Sequence, residues 1–413
     1  MVGFGETYFA AFMLAYGHSE LIAGLINTLP LVGGGILQML TPRMLLLFQS
    51  HKRFVVSGVV LQGVFFLLIA LLALIEGMPA WPAFTIATLY WGAGMAVGST
   101  WNAWMHSLIP QSIRTGFFSK RLGFNSITTL LAMLFTGILL EFTRNSSKTH
   151  VLQIFAGMFC ASALARLFSA YYLNRQSEAH YQQQLTPLDF RKVFKNLFHH
   201  SYGKVLLFVL VFRFGVHISA PFFHPYMLVK LQMSYWVYMT VMASSLIGRI
   251  FIMRFAKSLS RMLGDEKVLL VASLGISFIP LAWILMCNNF AAIFVIEFFS
   301  GILWGLFELA LFLIVFNRVP TVEQPTLLSG FNLINNTIVV LGSLVGGACL
   351  AYFHSKAITW TTISNIVYSR EYSYVFFLST CVRLIPVALL LYVLISSFKR
   401  SGNIFGKVEE PCI

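Results

Sequence analysis

Apolar runs about as long as a bilayer is thick recur along the chain, separated by short polar segments. Twelve can be read, approximately at 2–17, 22–41, 54–75, 82–108, 122–141, 150–173, 204–227, 233–254, 267–287, 290–317, 327–353 and 373–397. Each lies near the roughly 20 residues that a helix needs to cross hydrocarbon. Charged residues make up only 10% of the 413, whereas a soluble domain carries about 25%. With 58% hydrophobic residues, much of the surface must face something other than water. The expected fold class is therefore all-α integral membrane, with twelve transmembrane helices in two six-helix halves.

The net charge of +14 would raise nucleic-acid binding in a soluble protein. Here the basic residues fall mostly between the apolar runs, which fits anionic headgroups and the positive-inside bias, so no nucleic-acid partner is expected. With the amino terminus cytoplasmic, 19 of the 28 Lys and Arg gather on the inward side, Arg43, Lys52, Arg53 and Arg254 among them. Only five, Arg144, Lys148, Lys230, Lys356 and Arg370, fall outward. Both ends are thus expected in the cytoplasm. The five cysteines are widely spaced, and Cys412, next to last, makes no prenylation signal. No metal site, cofactor or catalytic motif is read from the sequence.

The longest polar stretch, 174–203, divides the chain into a half at 1–173, a cytoplasmic linker, a half at 204–397 and a tail at 398–413. A basic, mildly amphipathic piece around Asp189–His199 is expected along the membrane face. The first run begins at Met1 with almost no lead-in, so the reading favours a truncated first helix, its gene start placed downstream of the true one.

Twelve helices around a basic central loop resemble the major facilitator superfamily, in a poorly characterised bacterial branch. The most specific stretch is Trp101-Asn-Ala-Trp104-Met-His-Ser-Leu-Ile-Pro110, followed by Arg114-Thr-Gly116-Phe-Phe-Ser-Lys120-Arg121. It is similar to that branch's Trp-x-x-Trp, Leu-Val-Pro, Arg-Gly-Arg-Tyr-Phe-Gly-Arg-Arg pattern between helices four and five. Gly5-Glu6 resembles a pair that family members carry near the end of helix one. The loop two–three signature is worn: Arg43, Lys52 and Arg53 stand, but Pro42 occupies the place of the acidic residue. The second half keeps a better echo from Phe255 through Arg261 and Gly264 to Lys267. The resemblance implies that these loops latch helix ends during transport, and the missing aspartate puts a symmetric latch in doubt. A faint internal repeat agrees, Pro110 then Phe124-Asn125 against Pro320 then Phe331-Asn332.

Charges inside a span cost at least about 2.5 kcal/mol each, so they face protein or water and mark candidate functional positions. Arg213 sits well inside span seven with His217 one turn on, on the same face. The pair reads either as an anion-holding or proton-linked site or as a structurally paired arginine. Glu297 and Glu308, nearly three turns apart in span ten, share a stripe with Gly301, Trp304 and Gly305. That stripe is either a proton-coupling line or a close-packed seam with ion pairs. Glu6, Arg166 and Arg383 are further candidates for solute or coupling contacts. Arg249, near the end of span eight, reads as a gate or interface anchor, and Trp101 and Trp104 as packing and gating.

The expected function is secondary active transport of a small organic solute by alternating access, with protons as a possible partner and an anionic or zwitterionic substrate. Alternatives are a lipid or amphiphile translocase or membrane-embedded enzyme on the same scaffold, or a sensor that no longer cycles. A monomer in a bacterial inner membrane, in contact with membrane lipids, suffices for the transport reading.

Overall fold

The computed structural model describes residues 1–143, 146–178, 201–286, 289–319, 324–355 and 370–399. Most of the expected linker, with its Asp189–His199 segment, and the tail beyond 399 lie outside the described residues, as do Cys287 and Cys412. So do the side chains of Arg114 and Lys120.

Ten helices among the described residues are long and apolar enough to cross a membrane, and they coincide with ten of the expected spans. The other two expected spans are helical as well. The first holds a 3-10 turn at Glu6–Tyr8 and the short α1, Phe9–Tyr16; the fourth is α6, Ala80–Leu108. Between them lie α2 (Glu20–Leu25), α3 (Leu29–Gln38), α4 (Thr41–Phe48) and α5 (His51–Ala73). After α6 come α7 (Gln111–Glu141), α8 (Lys148–Asn174), α9 (Ser201–Ser219) and α10 (Tyr235–Leu263). The last four are α11 (Asp265–Met286), α12 (Phe290–Arg318), α13 (Gln324–Ser355) and α14 (Arg370–Lys399).

Helix starts follow from side chains that accept the first free N–H groups. Ser50 accepts from the Arg53 N–H at 3.0 Å, and Asn289 accepts from the Ala292 N–H at 3.1 Å. Pro42 stands in the first turn of α4, where a missing N–H costs nothing, which accounts for a proline in the worn loop. Span two divides into α2 and α3 at Thr28, with Pro30 in the first turn of the second piece. Span seven is also irregular. Beyond α9 the chain tightens into a 3-10 turn at Ala220–Phe222, which holds Pro221, and after Pro225 it widens into a π turn at Tyr226–Lys230. Proline withdraws a backbone donor and crowds the preceding turn, so the break sits where the sequence places it.

The chain forms two compact units, one of Met1–Leu185 with Pro221–Ala243, the other of Thr186–Ala220 with Ser244–Ile413. In the first, α5 packs along both α6 and α8, and α3 along α6. Its core is largely aromatic: Phe66 meets Tyr90 at 4.8 Å between ring centroids, and Phe12 meets Phe159 at 5.3 Å. In the second unit α11 packs along α12 and α14, and α9 along α13 and α14. The spans that neighbour one another in the first half, third with fourth and third with sixth, have counterparts in the second, ninth with tenth and ninth with twelfth. Pairing of this kind is what a parallel repeat produces.

Helices α10 and α12 meet at backbone distance. A Cβ on Gly301 would run into the Ser245 carbonyl oxygen, and one on Gly248 into the carbonyl oxygen of Phe298. Small residues at such crossings let backbones approach in lipid, where packing rather than water drives association. Gly301→Ala is therefore expected to destabilise the protein by about 1–3 kcal/mol, the range for overpacking a tight interior. Gly157→Ala, where a Cβ meets nothing within 4 Å, is expected to leave stability level or slightly higher. Thermal unfolding of the two purified variants checks this, and equal melting would mean that the crossing tolerates a methyl group.

Candidate functional site

Five of the intramembrane charges fall into two polar clusters, one in each unit: Glu6 with Arg166, and Arg213 with Arg249 and Glu308.

In the first unit the turn before α1 supplies Glu6, while α5, α6 and α8 supply Gln62, Tyr90 and Arg166. The Tyr90 hydroxyl donates to Glu6 Oε1. Arg166 donates through Nε at 2.9 Å, and also through Nη2, to Gln62 Oε1. Gln62 Nε2 in turn donates to the Tyr90 carbonyl oxygen at 3.4 Å. Glu6 and Arg166 are close enough for each to act on the other's charge. A carboxylate and a guanidinium are thus held in one network by two neutral side chains. Gln62 and Tyr90 were not singled out from sequence. Gln62 did leave a signal, as an isolated amide within the apolar run of α5, and it is 3% exposed.

In the second unit α9 brings Arg213 and His217 to one cluster, with Arg249 from α10 and Glu308 from α12. Arg249 Nη1 lies 3.1 Å from Glu308 Oε2. Arg213 lies in the field of the same carboxylate, and its Nε is buried with no hydrogen-bond partner. His217 Nδ1 donates to the Arg213 carbonyl oxygen at 2.9 Å, since a carbonyl can only accept. His217 stands within the influence of both Arg213 and Arg383.

Glu297 and Glu308 do share a stripe, and that stripe faces α10. Glu308 meets Arg249, while Glu297 is bonded one glycine crossing away. Glu297 Oε1 accepts from Trp283 Nε1 at 2.9 Å, and the carboxylate also interacts with Ser245. Gly301 fits against Ser245, and Gly305 lies beside Arg249.

Arg383 is 3% exposed, and among the described residues it bonds to backbone and hydroxyl oxygens rather than to a carboxylate. Its Nη1 donates to the Ile276 carbonyl at 2.8 Å, and its Nη2 to the Val216 carbonyl at 3.2 Å and to Ser219 Oγ at 2.7 Å. Pro280 lies inside α11, four residues beyond Ile276, so the Ile276 carbonyl is the one that a proline leaves without its helical donor. Arg383 therefore repairs the backbone of α11 and braces α9 just before its irregular turn.

The helix four–five motif also resolves into contacts. Trp104, 1% exposed, packs with Val55, Val59, Val97 and Ala170, and its Nε1 donates to the Ser177 carbonyl at 3.3 Å. The Arg121 guanidinium lies 4.1 Å from the centre of the Trp101 ring. Pro110 precedes the first turn of α7, and Arg261 is exposed near the end of α10. Next to this motif stands a carboxylate that sequence reasoning missed. Glu178, just past α8, accepts from Ser50 Oγ at 2.7 and 2.9 Å and from the Lys52 N–H at 3.1 Å. It therefore covers the start of α5, after the loop whose expected aspartate is missing. In the second unit Ser260 Oγ donates to Asp265 Oδ1 at the start of α11, the corresponding helix.

No curated protein matches the chain significantly. Solved structures do. A structure of the nucleoside transporter NupG aligns with a TM-score of 0.68 at 13% identity, over 95% of this chain and 95% of that one. The xylose transporter XylE from E. coli aligns at 0.63 and 12%, over 98% and 96% of the two chains. A D-xylose-proton symporter aligns at 0.64 and 14%, over 93% and 90%. At such identities the likeness is one of fold. The family model of the Major Facilitator Superfamily matches residues 1–343. A polytopic helical protein with charge clusters inside both units and that match over most of its length belongs to the Major Facilitator Superfamily, as a carrier of a small solute across the membrane and not an enzyme.

Proposed function

We propose that this carrier moves a small anionic or zwitterionic organic solute by alternating access, coupled to protons. Arg213 holds the solute's negative group and Glu6 exchanges the proton. The observation that carries the reading is the buried Arg213 Nε without a partner, beside a carboxylate that Arg249 already occupies. An intramembrane cation left short of hydrogen bonds is costly unless an anion arrives to complete it. Glu6 suits the second role because among the described residues its side chain is bonded by the Tyr90 hydroxyl and the Arg166 charge lies nearby. A carboxylate so placed can trade a proton as its surroundings change. Glu297 is the rival for that role, and its bonds to Trp283 and Ser245 favour a structural one.

The same reading sets the carrier in a bacterial inner membrane as a monomer, with halves at 1–173 and 204–397 and both termini cytoplasmic. The bias of Lys and Arg towards one set of loops supports that orientation.

A second reading is a neutral, hydroxyl-bearing solute. Trp91 Nε1 and Asn335 Oδ1 are each buried without a hydrogen-bond partner, a neutral donor and a neutral acceptor. Two of the similar folds are those of a nucleoside transporter and a xylose transporter.

A thermal-shift screen of organic anions, amino acids, nucleosides and sugars at two pH values separates the readings, because ligands of the folded state raise its apparent stability. An organic anion is expected to stabilise the protein, with affinity about ten- to a hundredfold weaker in Arg213→Ala, the worth of a bond to a charged group. Stabilisation by nucleosides or sugars alone, unchanged in that variant, would replace the anion by a neutral solute. In proteoliposomes Glu6→Gln is expected to abolish proton-driven accumulation while sparing solute exchange, and Glu297→Gln to retain both. The reverse pattern would transfer the coupling role to Glu297.

A further inference from the structure

On the surface of the second unit, α9 and α14 leave a groove of about 230 Å³ between them. Phe208 and Leu390 form its floor, buried to 9% and 7% exposure, while Leu207, Val211 and Leu389 stand exposed along its rims. Pro386 lines it from inside α14, where the missing N–H and the crowding of the ring disturb the helix. Its walls are apolar except at one end, where the exposed side chain of Lys204 stands two residues into the span that begins at Tyr202. From Lys204 to Val211 the groove follows α9 for about 10 Å, at 1.5 Å per residue.

We propose that this groove is a binding site for an anionic phospholipid, one acyl chain lying along Leu207, Val211 and Leu389 and the phosphate meeting Lys204. The order of the chemistry selects this occupant. An ammonium at the membrane interface leads into a wall of purely apolar side chains, matching a lipid's charged head and hydrocarbon tail in sequence. A soluble anion would find nothing to bond beyond Lys204. A zwitterionic lipid would bring a cation towards Lys204 along with its phosphate. Basic side chains at the interface between transmembrane helices attract anionic headgroups in the same way. The site lies wholly within the second unit, neither Arg213 nor Glu6 lines it, and it does not depend on which solute is carried.

The test compares stabilisation of the detergent-purified full chain by dioleoyl phosphatidylglycerol and by dioleoyl phosphatidylcholine, titrated by thermal unfolding. The wild type is expected to favour phosphatidylglycerol. Lys204→Gln is expected to weaken its apparent affinity roughly fivefold, the factor for one basic residue near an anionic lipid. Val211→Trp, which fills the groove and leaves the charge, is expected to remove the preference as well. Arg254→Gln, an equal loss of charge at an exposed position on α10, is expected to keep it. Equal stabilisation of the wild type by the two lipids, or a phosphatidylglycerol preference that survives both Lys204→Gln and Val211→Trp, would overturn the proposal.

Discussion

Inside hydrocarbon a backbone carbonyl that loses its helical donor has no water to turn to, and this chain breaks its helices there more than once. Arg383 shows how the debt is settled. One guanidinium reaches the Ile276 carbonyl freed by Pro280 and the Val216 carbonyl just before span seven becomes irregular. Ser219 and Ser379 extend the network, since Ser379 Oγ donates to the Gly215 carbonyl at 2.7 Å. A neutral side chain of similar size would leave those groups unsatisfied together. The irregular segment depends on a distant helix for its tolerance, and the arginine's charge is secondary to its fork of donors.

The two halves answer a second demand, the exposed N–H groups at a helix start, by different means. Glu178 reaches the beginning of α5 from the end of α8, across more than a hundred residues. At the beginning of α11 the acidic residues Asp265 and Glu266 come from the helix's own first turn. A negative charge at that end suits the helix dipole in either case. The worn loop of the first half has thus lost its local aspartate while the corresponding helix start still carries a carboxylate.

Hydropathy is a sum over a segment, so the spans were legible without any knowledge of their neighbours. The partners of charged residues were not, because pairing is decided across helices. Glu297 and Glu308 illustrate both sides. Their spacing does put them on one stripe, but only the glycine crossing with α10 shows which helix that stripe faces. Arg166 and Glu6 were visible as charges in apolar runs, whereas Tyr90, which completes their network, looks like one aromatic residue among many. Span seven was read as one continuous run, although Pro221 and Pro225 stand in it, and the sequence held no sign that Arg383, more than 150 residues on, would brace its irregular turn. Glu178 stayed hidden for another reason: it lies in a polar stretch where an acidic residue is unremarked.

The crossing of α10 and α12 also has a mechanical meaning. Two helices whose backbones touch at Gly248 and Gly301 cannot slide lengthwise by a turn, because side chains would have to pass through the space that only a missing Cβ leaves open. Rotation about the contact is the movement that remains. The pair Arg249–Glu308 then sits to one side of a fulcrum and the Glu297–Trp283 bond to the other. Whatever tilts α10 against α12 must load the ionic contact Arg249–Glu308, while the Glu297–Trp283 bond ties α12 to α11 and holds that neighbour in step, so the seam behaves as a lever with one loaded arm and one anchored arm.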